Sequence, residues 1–161
     1  TLSMGMLAKE ARQMEREGRT LAEILERLEF IRAKMELVFT VDDLKYAQMS
    51  GRIKYLQAAL ASLLNVKPII ELKDGIIEMG EKVRSRTKSI DVLLRKMKKK
   101  FGNQRVIMGV VHARDKEMGQ ELMQKVVSEF NCAEVIFAEI SISLAAHFGP
   151  GALGVVGYPV E

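Results

Sequence analysis

The chain has 161 residues, 48% of them hydrophobic and 29% charged, with a net charge of +4, the size and balance of one globular domain able to bury a core. No apolar run approaches the ~18 residues that a membrane-spanning helix needs. A lone cysteine, Cys132, and two histidines exclude an internal disulfide and leave little for a transition-metal site, which predicts a reducing, cytoplasmic setting with no metal and no cofactor.

Residues 3–17 read as a helix, with Met6, Leu7, Ala11 and Met14 recurring every three or four positions, and Gly18 ends it. Thr20 predicts the N-cap of a second helix, Glu23 completes a capping box, and Leu21, Ile24, Leu25, Leu28, Ile31 and Met35 form its apolar stripe. ELVFTV (36–41) is rich in β-branched and aromatic residues and reads as a strand. Asp42 predicts the N-cap of a short helix over 43–49, and Gly51 suits the position just past its end. Leu56, Ala59, Leu60, Leu63 and Leu64 share one face of a further helix over about 54–64.

Pro68 leads into the strand IIEL, and Asp74-Gly75 predicts a type I′ turn between it and IIEMGEKV. A basic helix follows over about 87–100, with Ile90, Leu93, Leu94 and Met97 inward. RVIMGVVHA (105–113) is continuously apolar, as a buried strand is; Asp115 predicts the cap of a helix over 116–130; AEVIFAEIS (133–141) and ALGVVGYPV supply the last two strands. The order β-β-α-β-α-β over 66–141 predicts an α+β (α/β) fold, a mixed sheet with helices packed on one face. Residues 1–35 and 143–161 look less self-contained than the 36–142 domain between them.

Ten Lys and Arg residues and one acid lie between Lys82 and Arg105, so this stretch carries +9 and the remainder −5. Such asymmetry fits an anionic partner, or a solvated helix face whose C-terminal lysines suit the helix dipole. Nucleic acid is not expected, because no aromatics interleave with the lysines as a stacking surface would require. Ten methionines are either ordinary core filler or the lining of a pocket for a flexible chain.

Gly149 to Gly154, GPGALG, spells a dinucleotide-binding pattern. That pattern works by opening a helix whose N-terminus holds the pyrophosphate. Here a β-branched stretch with Pro159 follows, so the match is a false one. Gly149 and Gly151 permit positive φ around Pro150, and free N–H groups in such a turn form an anion-binding nest beside His147; the other reading is a tight turn into an edge strand with His147 satisfied by backbone. Cys132 with His112 is a weak nucleophile–base pair, their proximity being unknown from sequence. Nucleophile-elbow, Walker, zincin and CxxC signatures are absent.

Five stretches in order, LSMGM, SGRI…LASLLNVKPII, LKDGIIEMGEKVRSRTKSI, VVHA and AAHFGPGALGVVGY, resemble the DegV family of bacterial fatty-acid-binding proteins. The likeness covers essentially the whole chain. It implies the C-terminal domain of a two-domain DegV-like fold with a fatty acid buried between the domains; residues 1–35 would pack against the N-terminal domain, and 143–161 would return to the cleft. The strands of that first domain, with the Thr and Ser that hold the carboxylate in the family, are not in this chain. The resemblance further implies a head-group site using His147, Gly149, Gly151, Ser3 and Arg52, with Phe148 standing where a Thr is more usual. It implies a carrier, not an enzyme: a long-chain fatty acid as ligand, a fatty-acid kinase partner docking at Arg84, and transient contact with a membrane surface. An enzyme acting on an anionic small molecule at the His147 loop, and a basic module for nucleic acid or membrane surfaces, are the alternative readings.

Overall fold

The computed structural model describes residues 2–51, 66–73 and 76–160. The helix expected over about 54–64, Arg52 and the Asp74-Gly75 turn lie outside them. In chain order the elements are α1 (Leu2–Arg16), α2 (Leu21–Lys34), β1 (Glu36–Thr40), α3 (Lys45–Met49), β2 (Lys67–Lys73), β3 (Ile76–Val83), α4 (Arg86–Phe101), β4 (Arg105–His112), α5 (Lys116–Glu129), β5 (Asn131–Glu139), α6 (Ile142–Phe148) and β6 (Leu153–Pro159). The strands form one mixed sheet in the order β3-β2-β1-β6-β4-β5. Only β4 and β5 run parallel, as the α5 crossover between them requires. The last strand is not at an edge. β6 sits between β1 and β4, antiparallel to both, and is buried along its whole length.

Alternation along the strands divides the sheet into two faces. Val38, Ile69, Met108, Val110, Leu153 and Val155 point to one face, where α4 brings Ile90, Leu93 and Met97 and α5 brings Leu122 and Val126. This is the main core, and the mixed α/β class expected from the sequence holds. The opposite face is covered in two patches. At one end α1 and α2 bury Met6 and Ile31 against Val156 and Tyr158. At the other, the α3 region and α6 pack Leu44, Ala47 and Phe148 near Val41, Ile70 and Ala152. Helices therefore stand on both faces.

Local chemistry sets most boundaries. Thr20 and Glu23 form the reciprocal capping box, and Gly18 takes φ 77° after α1. Ser85 caps α4 through the Lys88 N–H, and Gly102 closes it at φ 57°. Two expected caps are displaced. Asp43, not Asp42, accepts the Lys45 N–H (2.8 Å) ahead of α3. Asp115 stands at the N-cap of α5 but makes no capping bond. Both Asp42 and Asp115 are drawn instead to basic side chains, where an ion pair competes with the cap. The α2 stripe is also narrower than expected. Ile31 is buried, but Leu21 and Leu25 are exposed, because the helix meets the sheet only near its C-terminal end.

The basic run on α4 is answered in part within the chain. Lys96 pairs with Glu71 (2.9 Å), Arg95 with Glu81 and Lys100 with Glu36 (3.6 Å), while Lys98 donates to the Glu129 carbonyl. Three of these cations are thus compensated by acids contributed from neighbouring strands.

Candidate functional site

Between the two helical patches the sheet is left uncovered, and a cavity of about 460 Å³ opens there. That volume lies within the range of small-molecule sites. Its floor is the sheet: Leu37 and Phe39 from β1, Val111 from β4, Gly154 and Val156 from β6. Gly154 keeps the floor low, since a Cβ there would come within 3.0 Å of Val111 and 3.1 Å of Phe39. One wall is the start of α1, with Leu2 and Ser3; the facing wall is α6, with Leu144 and Phe148 one helical turn apart. Leu72 and Ile77, paired across the β2–β3 hairpin and both partly exposed, contribute a third side. The Phe148 ring tilts against Phe39, with centroids 4.7 Å apart, and closes that corner.

Few polar groups reach this apolar space. Ser3 projects from the first turn of α1, and its Oγ is buried with no hydrogen-bond partner among the described residues. Ser141, beside the α6 wall, shares a hydrogen bond with Ser143 (3.0 Å). Glu139 accepts the Arg114 N–H (3.3 Å), and Arg114 is held at φ 53°. A buried hydroxyl without a partner is costly in an apolar setting, so Ser3 is a donor in want of an acceptor.

His147 lies in the last turn of α6, a short helix that the sequence pattern does not announce. Its Nδ1 is buried and, like the Ser3 hydroxyl, has no partner among the described residues. It does not itself line the cavity; Leu144, one turn earlier on the same helix, and its neighbour Phe148 do. Gly149 ends α6 at φ 73° with its N–H given to the Ala145 carbonyl (2.8 Å), and a Cβ there would overlap the Tyr46 ring. Gly151, at φ 79°, gives its N–H to the Ala113 carbonyl (2.8 Å), and a Cβ would sit 3.0 Å from that of Asp42. The two N–H groups are thus committed internally, and the turn is a shaped connection between α6 and β6 rather than an open nest. The GPGALG stretch runs into a strand, so the dinucleotide reading fails on geometry as well.

Arg84 is exposed just ahead of α4 and outside the cavity lining. Cys132 pairs in register with Val106 and His112 with Glu139, six residues apart along β4, roughly 20 Å. That distance excludes them as a nucleophile–base pair. Burial also pushes the Cys132 thiol up, away from thiolate chemistry. Among the described residues no cluster of three or more His, Cys, Asp or Glu is arranged to hold a metal ion, and no helix is long and apolar enough to cross a membrane.

Of the apolar lining residues, only Phe148 is singled out by the sequence. The signal for two of them was present: alternation in ELVFT puts Leu37 and Phe39 on one face. Nothing local told which face would be left open.

A family model described as "Uncharacterised protein, DegV family" matches residues 1–160. A DegV domain-containing protein of Listeria innocua is 32% identical over 158 residues, which cover 96% of this chain and 55% of that protein. The structure of a fatty-acid-binding DegV family protein from Thermus thermophilus superposes with a TM-score of 0.92 at 30% identity, covering 99% of this chain and 58% of that one. A stearic acid-binding protein of Eubacterium ventriosum superposes with a TM-score of 0.85, also at 30% identity, covering 99% and 56%. The chain therefore spans little more than half the length of the proteins it matches.

Proposed function

Because the chain belongs to the DegV family, we propose that it binds a long-chain fatty acid in the sheet-face cavity. The observation that carries this reading is an apolar cavity of about 460 Å³ whose wall holds an unpartnered buried hydroxyl, Ser3 Oγ. The acyl chain lies against Leu37, Phe39, Val156 and Leu144, and each methylene removed from water contributes about 0.8 kcal/mol. The carboxylate is held by Ser3 on the α1 wall and by His147, which stands on α6 beside the lining residues Leu144 and Phe148, with Gly149 and Gly151 setting how α6 enters β6; Arg52 belongs to the same proposed site. Fatty-acid-binding relatives with 27–30% identity and the same fold support the ligand class.

We further propose that the chain is the C-terminal portion of a two-domain carrier, which its coverage of just over half of each relative supports. The open sheet face and the exposed Leu72, Ile76 and Ile77 suit burial against a first domain. The carrier breaks no bonds; it works in the cytoplasm and presents the head group to a kinase partner that docks at Arg84, the exposed cation ahead of α4.

Native mass spectrometry of the gently purified chain is expected to find a co-purified long-chain acid. His147→Ala should weaken retention of that acid while leaving the fold intact. An empty protein that cannot be loaded with long-chain acids, or a His147→Ala variant with unchanged retention, would refute the proposal or its head-group assignment respectively.

A further inference from the structure

We infer that Arg86 is the positioning residue of the head-group end, fixing the Gly149–Gly151 turn and through it the placement of α6 and His147; this rests on the fatty-acid site proposed above. Arg86 is the first residue of α4, and its side chain is only 18% exposed. One guanidinium nitrogen, Nη2, donates both to the Gly151 carbonyl and to Asp115 (3.2 Å). Nη1 lies 3.9 Å from Asp42, which in turn pairs with Lys67 (2.7 Å), and is buried without a hydrogen-bond partner among the described residues. The turn is thereby held from two sides. The Gly151 N–H is tied to Ala113 at the end of β4, the Ala113 N–H returns to the Ala152 carbonyl (2.9 Å), and the Gly151 carbonyl is tied to α4.

The two tethers meet at the residue that joins the α6 wall to the β6 floor. Two residues before Gly151, Gly149 stops the helix carrying His147, Leu144 and Phe148; three after it, Gly154 lies in the cavity floor. Both bonds leave one nitrogen, Nη2, whose two N–H groups are fixed in the guanidinium plane and so reach the carbonyl and the carboxylate in set directions. An ammonium is a single compact charge and cannot hold the same acceptors with the same geometry. Arg86 also explains why Asp115 makes no capping bond, since it draws that carboxylate at 3.2 Å, while Asp42 is held chiefly by Lys67.

The test uses the full chain with Arg86→Lys and Arg86→Gln, the first retaining charge so that folding survives. Two readouts are taken: the Kd values for palmitate and for the corresponding uncharged alcohol, and hydrogen exchange at the Gly151 amide. Both variants are expected to weaken palmitate by about tenfold or more, the scale of one lost charge-assisted hydrogen bond, with little change for the alcohol. Gly151 exchange should accelerate while amides of the α5 interior stay protected. An unchanged palmitate affinity, parallel losses for acid and alcohol, or unaltered Gly151 exchange would each overturn the assignment. The exchange measurement needs no ligand. A wild-type chain that binds neither probe would count against the function proposed above and leave the Arg86 tether to be judged on exchange alone.

Discussion

Gly149→Ala is expected to destabilise the chain by about 2–4 kcal/mol. The magnitude comes from two separable sources. Gly149 adopts φ 73° and ψ 175°, a region essentially closed to residues with a Cβ and costing on the order of 1–3 kcal/mol. The new methyl would also overlap the Tyr46 ring. Tyr46 is only half-buried, so the ring can swing aside and the overlap adds about 1 kcal/mol, the low end for overpacking. Urea unfolding monitored by circular dichroism, with a constant m-value, gives the loss directly. A cycle with Tyr46→Ala separates the sources: in that background the penalty should fall to the backbone part alone, about 1–3 kcal/mol. A Gly149→Ala loss within about 0.5 kcal/mol, the span of an ordinary surface substitution, would refute the claim that this position requires glycine. A loss that Tyr46→Ala leaves undiminished would refute the ring contact.

Two further outcomes follow from buried polar atoms. Ser3→Ala should leave stability unchanged or raise it by up to about 1–3 kcal/mol, because the hydroxyl it removes has no partner, while fatty-acid retention falls; a clear loss of stability on thermal unfolding would show that Ser3 is structural. Tyr158 is buried beside Glu10, its hydroxyl 3.4 Å from that carboxylate, and burial first and the Glu10 charge second push its phenol up to about 12. Its contribution to stability is fully present below the unfolded value of 10.0 and is lost as pH rises toward about 12. The difference in tyrosinate absorbance between wild type and Tyr158→Phe should show this step, and a midpoint near 10 would contradict it.

Much of the architecture was legible because local chemistry and periodicity agreed. Thr20 and Glu23 cap α2 as their spacing implies, Ile90, Leu93 and Met97 face inward from α4, and the apolar run 105–113 is a central strand. The short helix α6 was missed although Ser141 precedes it and Gly149 closes it at positive φ. Seven residues carry too little periodicity to stand out from a glycine-rich loop. The acids at 42 and 115 differ for another reason: a cap and an ion pair draw on the same carboxylate, and the competitors, Lys67 for Asp42 and Arg86 for Asp115, are distant in sequence.

The sequence by itself determined most of the described helices and strands, α6 excepted, that the final glycine stretch precedes a strand rather than a helix, and, through five stretches in order, the family. Only the tertiary structure decided that β6 occupies the middle of the sheet, because strand order depends on pairings between segments more than 40 residues apart in sequence. That insertion creates the site. It places Gly154 and Val156 under the gap between α1 and α6, and brings Ser3, from the far end of the chain, to the same cavity. Composition could supply an apolar floor and a hydroxyl; their meeting is a property of the fold, since no local rule fixes which face of a sheet its helices leave uncovered.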